Sequence, residues 1–369
     1  MSRIYENGYT IEYPEKLAYA GMPMLVRVAN ADNYVGVGVT INVGGKYYTE
    51  RRTIYNGGAT FDLARYAQMA FVGKALGYNF DAKLVVSELS QPMEVVVTLT
   101  DSAGDITTAT SWNTEVLWGY LGIQQTNGGG TRSRKWFANY PQTFDFYATT
   151  SSSFDLEMDN GDIVAYPKPT FSRETQQVAI DVSPKYAAPK EEVGKGKITG
   201  YATQYLDGGV LKVYNTVINL EVDRSTSGVY LRWLDHLGQW CYYLFRVTGR
   251  NYTSKETQSW QDGILRDNLT TENNVYVQSG LTMHQYSQQE SISLGAKLVD
   301  AEMFSFLLSL THSPIVEVLV NAEQYLANKA ITPRWERVSV VGGSYARSGA
   351  PLQDFLVSIN RYPYTSQML

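Results

Sequence analysis

The sequence predicts a mainly β protein: an N-terminal immunoglobulin-like β-sandwich followed by one or two further β-rich domains with few short helices. Three observations predict this fold class. Tyrosine and glycine are common, at 28 and 31 of 369 residues, and they suit strands and tight turns. Short apolar or alternating segments recur along the chain between turn signals. The length also exceeds that of one ordinary domain.

Residues 1–118 are predicted to form the sandwich. About seven short strands in this span are typical of an immunoglobulin-like architecture, and Gly44-Gly45 marks a two-residue hairpin turn. Apolar residues at helical spacing over Phe61–Lys74, with Thr60 as N-cap, predict one inserted helix. The strand candidates are Tyr9–Tyr13, Met24–Ala29, Val35–Val43, Lys46–Arg51, Leu84–Glu88 and Met93–Thr100.

Residues 119–197 are predicted to form a β-rich region with exposed loops. Asn127–Lys135 is glycine-rich and basic, which indicates a flexible loop. Asn160-Gly161 between Phe154–Met158 and Ile163–Tyr166 predicts a hairpin. Pro184–Lys197 is rich in Pro, Lys, Gly and Ala, as linkers or long exposed loops are.

Residues 198–369 are predicted to form a C-terminal β-rich domain. A hairpin is expected around Leu237-Gly238. An amphipathic helix is expected near residues 300–312, where Asp300 can cap Asp300–Leu310 and Ser313-Pro314 ends it. The later strand candidates are Val275–Gly280, Leu281–Leu294, Val316–Val320, Glu336–Val341 and Gln353–Ile359.

Charge and cysteine content exclude several classes of protein. The net charge is −5 without basic blocks, so no nucleic-acid footprint is visible. The N-terminus lacks a secretory signal pattern, and the apolar stretches are too short for a membrane span. Cys241 is the single cysteine; it excludes an intrachain disulfide and is expected to be a small buried hydrophobe.

The search for chemistry predicts no catalytic, cofactor or metal residues. The histidines lack metal-ligand spacing, and the glycine-rich stretches Gly128–Lys135 and Gly194–Lys197 do not fit a phosphate loop. Asp155–Tyr166 begins like a calcium loop, but Tyr166 stands where the bidentate Glu belongs. A hairpin explains the same residues. The chain is therefore predicted not to be an enzyme, and a glycan hydrolase with two facing carboxylates stays open as an alternative.

Aromatic clusters supply the candidate interface or ligand-stacking residues. Trp240 and Tyr242 share one face of a predicted strand and Tyr243 the other, so both faces are apolar. One face is expected to contact a core and the other a subunit, with sugar stacking as the alternative. The candidates are Trp136, Phe137, Tyr140, Trp233, Trp240, Tyr242 and Tyr243.

Several segments resemble virion structural proteins of Bacteroidetes phages and prophages, of tail or baseplate type. They are Tyr230–Phe245, Trp136–Phe146 and the C-terminal run that contains Ser313-Pro314, Thr332–Ser339 and Leu352–Ile359. The resemblance covers about the last two-thirds of the chain. It carries no catalytic motif.

The resemblance implies a non-enzymatic virion component that acts through subunit assembly. It implies assembly in the host bacterial cytoplasm, other virion proteins as partners and a homo-oligomeric ring with heterologous contacts. No cofactor is implied. The alternative function is a module that binds cell-surface glycan or a receptor through the aromatic candidates.

Overall fold

The computed structural model describes residues 2–6, 8–14, 17–72, 82–120, 130–170, 175–207, 210–261, 282–342, 345–347, 349–362 and 364–366. Within these ranges the chain is mainly β, with short helices and several sheets, as the sequence predicts. No helix within them is long and apolar enough to cross a membrane.

Two sheets form an N-terminal sandwich. The first has the order β1 (Ser2–Glu6), β2 (Tyr9–Tyr13), β4 (Leu25–Ala29), β7 (Ala59–Asp62). The second has the order β3 (Leu17–Tyr19), β10 (Ile106–Leu117), β9 (Ser90–Asp101), β5 (Tyr34–Val43), β6 (Lys46–Thr53).

The sandwich core follows from alternation along these strands. Val37, Val39 and Ile41 of β5 are buried and meet Val26 and Ile11 of the opposite sheet in one cluster. A strand places alternate side chains on opposite faces, so one apolar residue in two is enough to build this core. The sandwich prediction is therefore confirmed.

The predicted inserted helix exists but begins later than expected. The helix α1 spans Ala64–Met69, and Thr60 and Phe61 belong to β7, where Phe61 pairs with Val26. Thr60 is therefore not the N-cap, because ladder pairing with β4 keeps it extended. Residues 73 and 74 lie outside the described residues.

A second sheet system fills the middle of the chain. Its main path has the order β11 (Thr131–Phe137), β17 (Val210–Asp223), β16 (Lys195–Asp207), β12 (Thr143–Ala148), β15 (Gln176–Asp181), β8 (Leu84–Val86). The hairpin of β13 (Ser153–Met158) and β14 (Ile163–Ala165) lies beside β16. It turns at Asn160-Gly161, as predicted.

Of two loop expectations for the middle region, one is corrected and one is confirmed. Thr131–Lys135 is not a loop but the start of β11, because it pairs in parallel with β17. The segment Pro184–Lys197 is, as expected, a long and mostly exposed loop as far as Gly194; the buried side chains of Ala187 and Val193 anchor it to the middle core, and Lys195 begins β16.

The expected division at residue 197/198 is also corrected. Strands β16 and β17 belong to the middle sheet, so this unit continues to Asp223. In addition, β8 pairs with β15 rather than with the sandwich, although it lies within residues 1–118.

The C-terminal unit is a closed six-stranded antiparallel barrel. Its cyclic order is β18 (Val229–Leu234), β19 (Trp240–Gln261), β20 (Thr282–Val299), β23 (Gln353–Arg361), β22 (Trp335–Val340), β21 (Val316–Leu319) and back to β18. A short strand, β24 (Tyr364–Ser366), adds to β20. The predicted strand Val275–Gly280 and Leu281 lie outside the described residues.

The predicted C-terminal helix is confirmed. The helix α2 spans Ala301–Leu308 and begins at Asp300, whose carboxylate accepts a hydrogen bond from the Met303 N–H at 2.8 Å. A 3₁₀ turn, Ser309–His312, follows it, and a further short helix, α3, spans Ala322–Ala327. Phe304 of α2 packs against Phe355 inside the barrel unit.

Candidate functional site

The seven aromatic candidates lie inside the chain. Their exposed fractions run from 0% to 7%, so none presents a ring face to solvent on which a sugar could stack. The ligand-stacking interpretation is therefore wrong for these rings, because they pack in cores and between units of the chain. They are Trp136, Phe137, Tyr140, Trp233, Trp240, Tyr242 and Tyr243.

Trp136 and its neighbours join the middle sheet to the barrel. Trp136 belongs to the middle core and donates its indole N–H to the Val182 carbonyl at 3.1 Å. Phe137, next to it on β11, points the other way and packs edge-to-face on Tyr230 and Tyr243 of the barrel. Tyr140 stacks on Tyr230 at 4.4 Å between ring centroids.

The Trp240 ring packs on a buried cation. The Arg232 guanidinium lies 4.5 Å from the Trp240 ring centroid and 4.3 Å from that of Trp335. Its Nη2 also pairs with the Glu317 carboxylate at 2.6 Å. Two aromatic faces and a carboxylate together stabilise a guanidinium that is almost fully buried.

Both faces of β19 contact the middle sheet of the same chain, since Tyr243 packs on Phe137 and Tyr242, on the opposite face, lies beside Thr143. The Tyr242 hydroxyl and the Thr143 hydroxyl lie 2.8 Å apart, and the Trp240 N–H donates to the Asp145 carboxylate at 2.5 Å. Intrachain packing thus occupies the face for which a subunit was expected, and any assembly contact must lie elsewhere.

The turn Asp235–Gln239 between β18 and β19 is the point where all three units meet. The Gln177 side chain of the middle sheet donates to the Gly238 carbonyl at 2.7 Å. The Tyr120 N–H, after the sandwich, donates to the His236 carbonyl at 2.5 Å. We call this turn the junction turn.

Buried polar groups fix the junction turn. The Tyr147 hydroxyl donates to the Leu237 carbonyl at 2.8 Å and lies 3.1 Å from the Tyr19 hydroxyl, so one side chain contacts all three units. The Asp235 carboxylate accepts the N–H groups of Leu237 and Gln239, and burial raises its pKa. Hydrogen bonds that meet at this turn thus join the three units into one support.

A long β-ribbon extends from this support. Strands β19 and β20 pair from Arg246↔Gly295 to Gln261↔Thr282. Pairing of β20 with β23 stops at Ser291, so the ribbon continues beyond the barrel for about 35 Å at the usual rise of a strand. The residues from Asn251 to Lys255 are all exposed. We call the paired segment beyond Asn251 and Ser291 the ribbon.

One edge of this hairpin has no strand beside it among the described residues. Strand β19 pairs with β18 only through Phe245, whereas the outer edge of β20 carries β24 at Tyr286–Gln288. An unpaired edge presents backbone donors and acceptors to other chains. Arg246, Arg250 and Lys255 belong to this part of β19, where Arg250 pairs with Glu290 of β20 at 2.7 Å and Glu256 follows Lys255.

A cleft lies at the other end of β20. It has a volume of about 590 Å³ between the middle sheet and the start of α2, and Met158, Leu220 and Met303 supply its apolar lining. Five carboxylates and three cations also line it. They are Glu157, Asp159, Glu221, Asp300 and Glu302, and Arg134, Lys195 and Lys197.

Some carboxylates of the cleft have structural roles. Asp300 caps α2, and Asp159 accepts the N–H groups of Gly194 and Lys195 at 3.1 and 2.9 Å. The last contact also explains the calcium-like segment as a hairpin braced against β16. Within the described ranges, no three metal-ligating side chains are grouped.

Three glutamates of the cleft remain accessible. The side chains of Glu157, Glu221 and Glu302 are 52%, 71% and 61% exposed. Their cationic neighbours are Lys197 at 2.6 Å, Lys135 at 3.9 Å and Arg134 at 3.8 Å. The cleft therefore offers a surface with an excess of negative charge.

Sequence reasoning missed both the ribbon and the cleft. The polar stretch from Asn251 lacks the apolar alternation that marks a half-buried strand, because the consecutive side chains of residues 251–255 are exposed on both faces of β19. The cleft depends on contacts between β11, β17 and α2, which are far apart in sequence. The run of Thr, Tyr and Gln residues around Tyr252 is the one signal that favours a strand there.

Comparisons with known proteins give distant structural matches. No protein-family model matches the sequence, and no curated protein matches it significantly. Fibronectin(III)-like modules of Clostridium thermocellum CbhA match at 12% identity over 58% of this chain and 94% of theirs, with a TM-score of 0.18. The N-terminal four Ig domains of Dscam1 isoform 4.44 match at 7% identity over 79% of this chain and 70% of theirs, with a TM-score of 0.18.

A third match is a structure of a 1.5-MDa bacterial ice-binding adhesin, in a study of host cell surface retention. It shares 10% identity over 96% of both chains, with a TM-score of 0.19. TM-scores this low carry no functional argument, and the fold class stands on the strand pairing described above.

Proposed function

We propose that this chain is a non-enzymatic structural protein of a bacteriophage or prophage virion, of tail or baseplate type. It acts by subunit assembly into a homo-oligomeric ring within the host bacterial cytoplasm, with other virion proteins as partners. The observation that carries the proposal is the ribbon, which extends from the three-unit support and, among the described residues, leaves the β19 edge open for intermolecular pairing.

The three-unit support agrees with this function. An assembling subunit must hold its contact surfaces in a fixed geometry, because small rotations prevent a ring from closing. The junction turn contributes to that geometry through hydrogen bonds from Tyr120, Tyr147 and Gln177. The resemblance of Tyr230–Phe245 to phage virion proteins concerns the two strands on either side of this turn.

Particles purified from the bacterial host test the proposal. The chain is expected in gradient-purified virions, at a copy number that matches one ring and at a fixed position under antibody-labelled electron microscopy. A host cytoplasmic protein serves as the control for carry-over. Absence of the chain from purified particles, together with a monomer in solution at all concentrations, would overturn the proposal.

The receptor-binding alternative lacks the exposed aromatic surface that it requires at the candidate residues. Its candidate rings, among them Trp136 and Trp233, are buried at 0% exposure. A glycan array with the full chain checks this alternative directly, and specific binding that survives Trp→Ala changes at these two positions would place a glycan site elsewhere.

A further inference from the structure

The first pair of the ribbon, Tyr252↔Glu290, lies where the barrel ends. Pairing of β20 with β23 stops one residue earlier, at Ser291. Among the described residues, the ribbon beyond this pair has two strands, apart from the short segment where β24 pairs with β20. A two-stranded hairpin twists strongly and is marginally stable alone. Contacts at the first pair are therefore placed to fix the direction in which the ribbon leaves the barrel.

The Glu290 carboxylate receives donors from both sides of this boundary. From β19, Arg250 Nη1 donates to its Oε1 at 2.7 Å, and the Tyr252 hydroxyl donates to the same oxygen at 3.1 Å. From β23, Arg361 Nη1 donates to its Oε2 at 3.4 Å. The Glu290 side chain is 10% exposed, so salt and water screen these contacts less than on an open surface. One carboxylate thus joins the base of the ribbon to the barrel.

The contact continues to a fourth strand. Arg361 also donates to Glu336 of β22, with Nη2 at 2.8 Å and Nε at 3.3 Å from the two carboxylate oxygens. Two nitrogens of one planar guanidinium on one carboxylate fix the orientation of the arginine. A row of alternating charges therefore links β19, β20, β23 and β22. Its members in order are Arg250, Glu290, Arg361 and Glu336. A network with a bidentate pair contributes more than isolated surface pairs do.

We propose that Glu290 is the positioning residue of the ribbon. It fixes the angle between the ribbon and the barrel, because β19 holds it on one side and β23 on the other. The inference rests on the proposed assembly function, in which the ribbon carries the contact with a neighbour. A rotation of about 10° at the base would move the far end of a ribbon of about 35 Å by about 6 Å. Hydrogen bonds across a subunit contact do not tolerate such a displacement.

The distance between two spin labels measures this angle. One label is placed on the ribbon at Lys255→Cys and the other on α3 at Glu323→Cys, both at exposed positions. Cys241 is buried and stays in place. The sample is dilute, so that the distance is measured within one molecule. Glu290→Gln keeps the size of the side chain but removes its charge, and the distance distribution is expected to widen at least about twofold.

Glu50→Gln is the matched control. Glu50, on β6 of the sandwich, is also held by two arginines and a tyrosine: Arg52 Nη2 at 2.7 Å, Arg65 Nη2 at 2.9 Å and the Tyr66 hydroxyl at 3.2 Å. Its side chain is 17% exposed. Both variants are expected to lose similar stability in urea denaturation, while only Glu290→Gln widens the distribution. Equal widening in both variants would show a general loosening and overturn the inference.

Self-association of the two variants completes the test. Light scattering over a concentration series is expected to show about tenfold weaker association for Glu290→Gln, because a contact surface that is not held in place loses more freedom on binding. Glu50→Gln is expected to associate like the wild type, and Glu290→Asp, which restores the charge, to recover part of the narrow distribution.

The outcomes separate this inference from the proposed function. An unchanged distribution in Glu290→Gln, or unchanged association despite a wider one, overturns the inference while the proposed assembly function stands. A wild-type chain that stays monomeric at every concentration overturns the proposed function instead, and the distance measurement still decides whether Glu290 fixes the ribbon.

Discussion

Gly238 of the junction turn lies directly against the carbonyl group of Trp118, at the end of the sandwich. A Cβ atom on Gly238 would overlap that carbonyl oxygen, and the residue has a φ of 71°. Gly119, with a φ of 125°, approaches the same turn, and a Cβ there would lie 2.6 Å from the His236 carbonyl oxygen. Two glycines thus permit the close backbone approach through which the sandwich contacts the barrel.

The substitution Gly238→Ala is expected to destabilise the chain by about 3 kcal/mol or more, because left-handed strain adds to a backbone clash. The matched control is Gly45→Ala, at a φ of 76° with open space around it, for which the strain alone, about 1 kcal/mol, is expected. Urea denaturation measures both. Equal losses would show that the contact with Trp118 contributes nothing.

The substitution Arg232→Lys is expected to cost about 2–3 kcal/mol. Lysine keeps the charge but loses the planar guanidinium that lies between Trp240 and Trp335 and reaches Glu317. The pair of Glu290 with Arg250, whose side chain is about half exposed, provides the control, since Arg250→Lys there is expected to cost under about 1 kcal/mol. If both variants unfold at the same denaturant concentration, the packing of Arg232 against the two tryptophan rings adds no stability beyond that of the control pair.

The substitution Asp181→Asn is expected to stabilise the chain at pH 8 and to have little effect at pH 4. Burial raises the pKa of Asp181 to about 6, above the ordinary range of an aspartate, and its Oδ2 has no hydrogen-bond partner among the described residues. The folded state therefore holds the proton more tightly, and stability falls as pH rises between about 4 and 6.

The size of this effect follows from the shift in pKa. Raising the pKa of Asp181 from its ordinary value to about 6 corresponds to about 3 kcal/mol as an upper bound at pH 8. Denaturation at pH 4, 5, 6 and 8 measures the difference between Asp181→Asn and the wild type. A difference that is constant across this range would contradict a raised pKa at Asp181.

Local patterns predicted much of the fold. The alternation in Val35–Val43, the Asn160-Gly161 turn and the cap at Asp300 are each encoded by a few adjacent residues, and the structure has β5, the β13–β14 hairpin and α2 at these places. The predicted helix begins at Phe61, whereas the observed helix α1 begins at Ala64, because pairing with β4 keeps Phe61 in an extended strand.

Strand pairing between segments that are far apart in the chain could not be predicted from local sequence patterns. Thr131–Lys135 is polar and glycine-flanked, yet its pairing with β17 makes it a strand. Closure of the barrel depends on β19 and β20 meeting, and the cation site joins Arg232 to Trp335 and Glu317. The aromatic candidates were correctly expected at packed surfaces, but the surfaces opposite them belong to the same chain.

The central claim is that the ribbon drives self-assembly, and molar mass measured by light scattering over a concentration series tests it most directly. The comparison is between the full chain and a variant in which Thr253–Gln289 is replaced by an Asn-Gly turn, which keeps the Tyr252↔Glu290 pair. The full chain is expected to grow into discrete oligomers, while the shortened variant stays monomeric with a folded barrel. Oligomers of the same size from both proteins would contradict the claim.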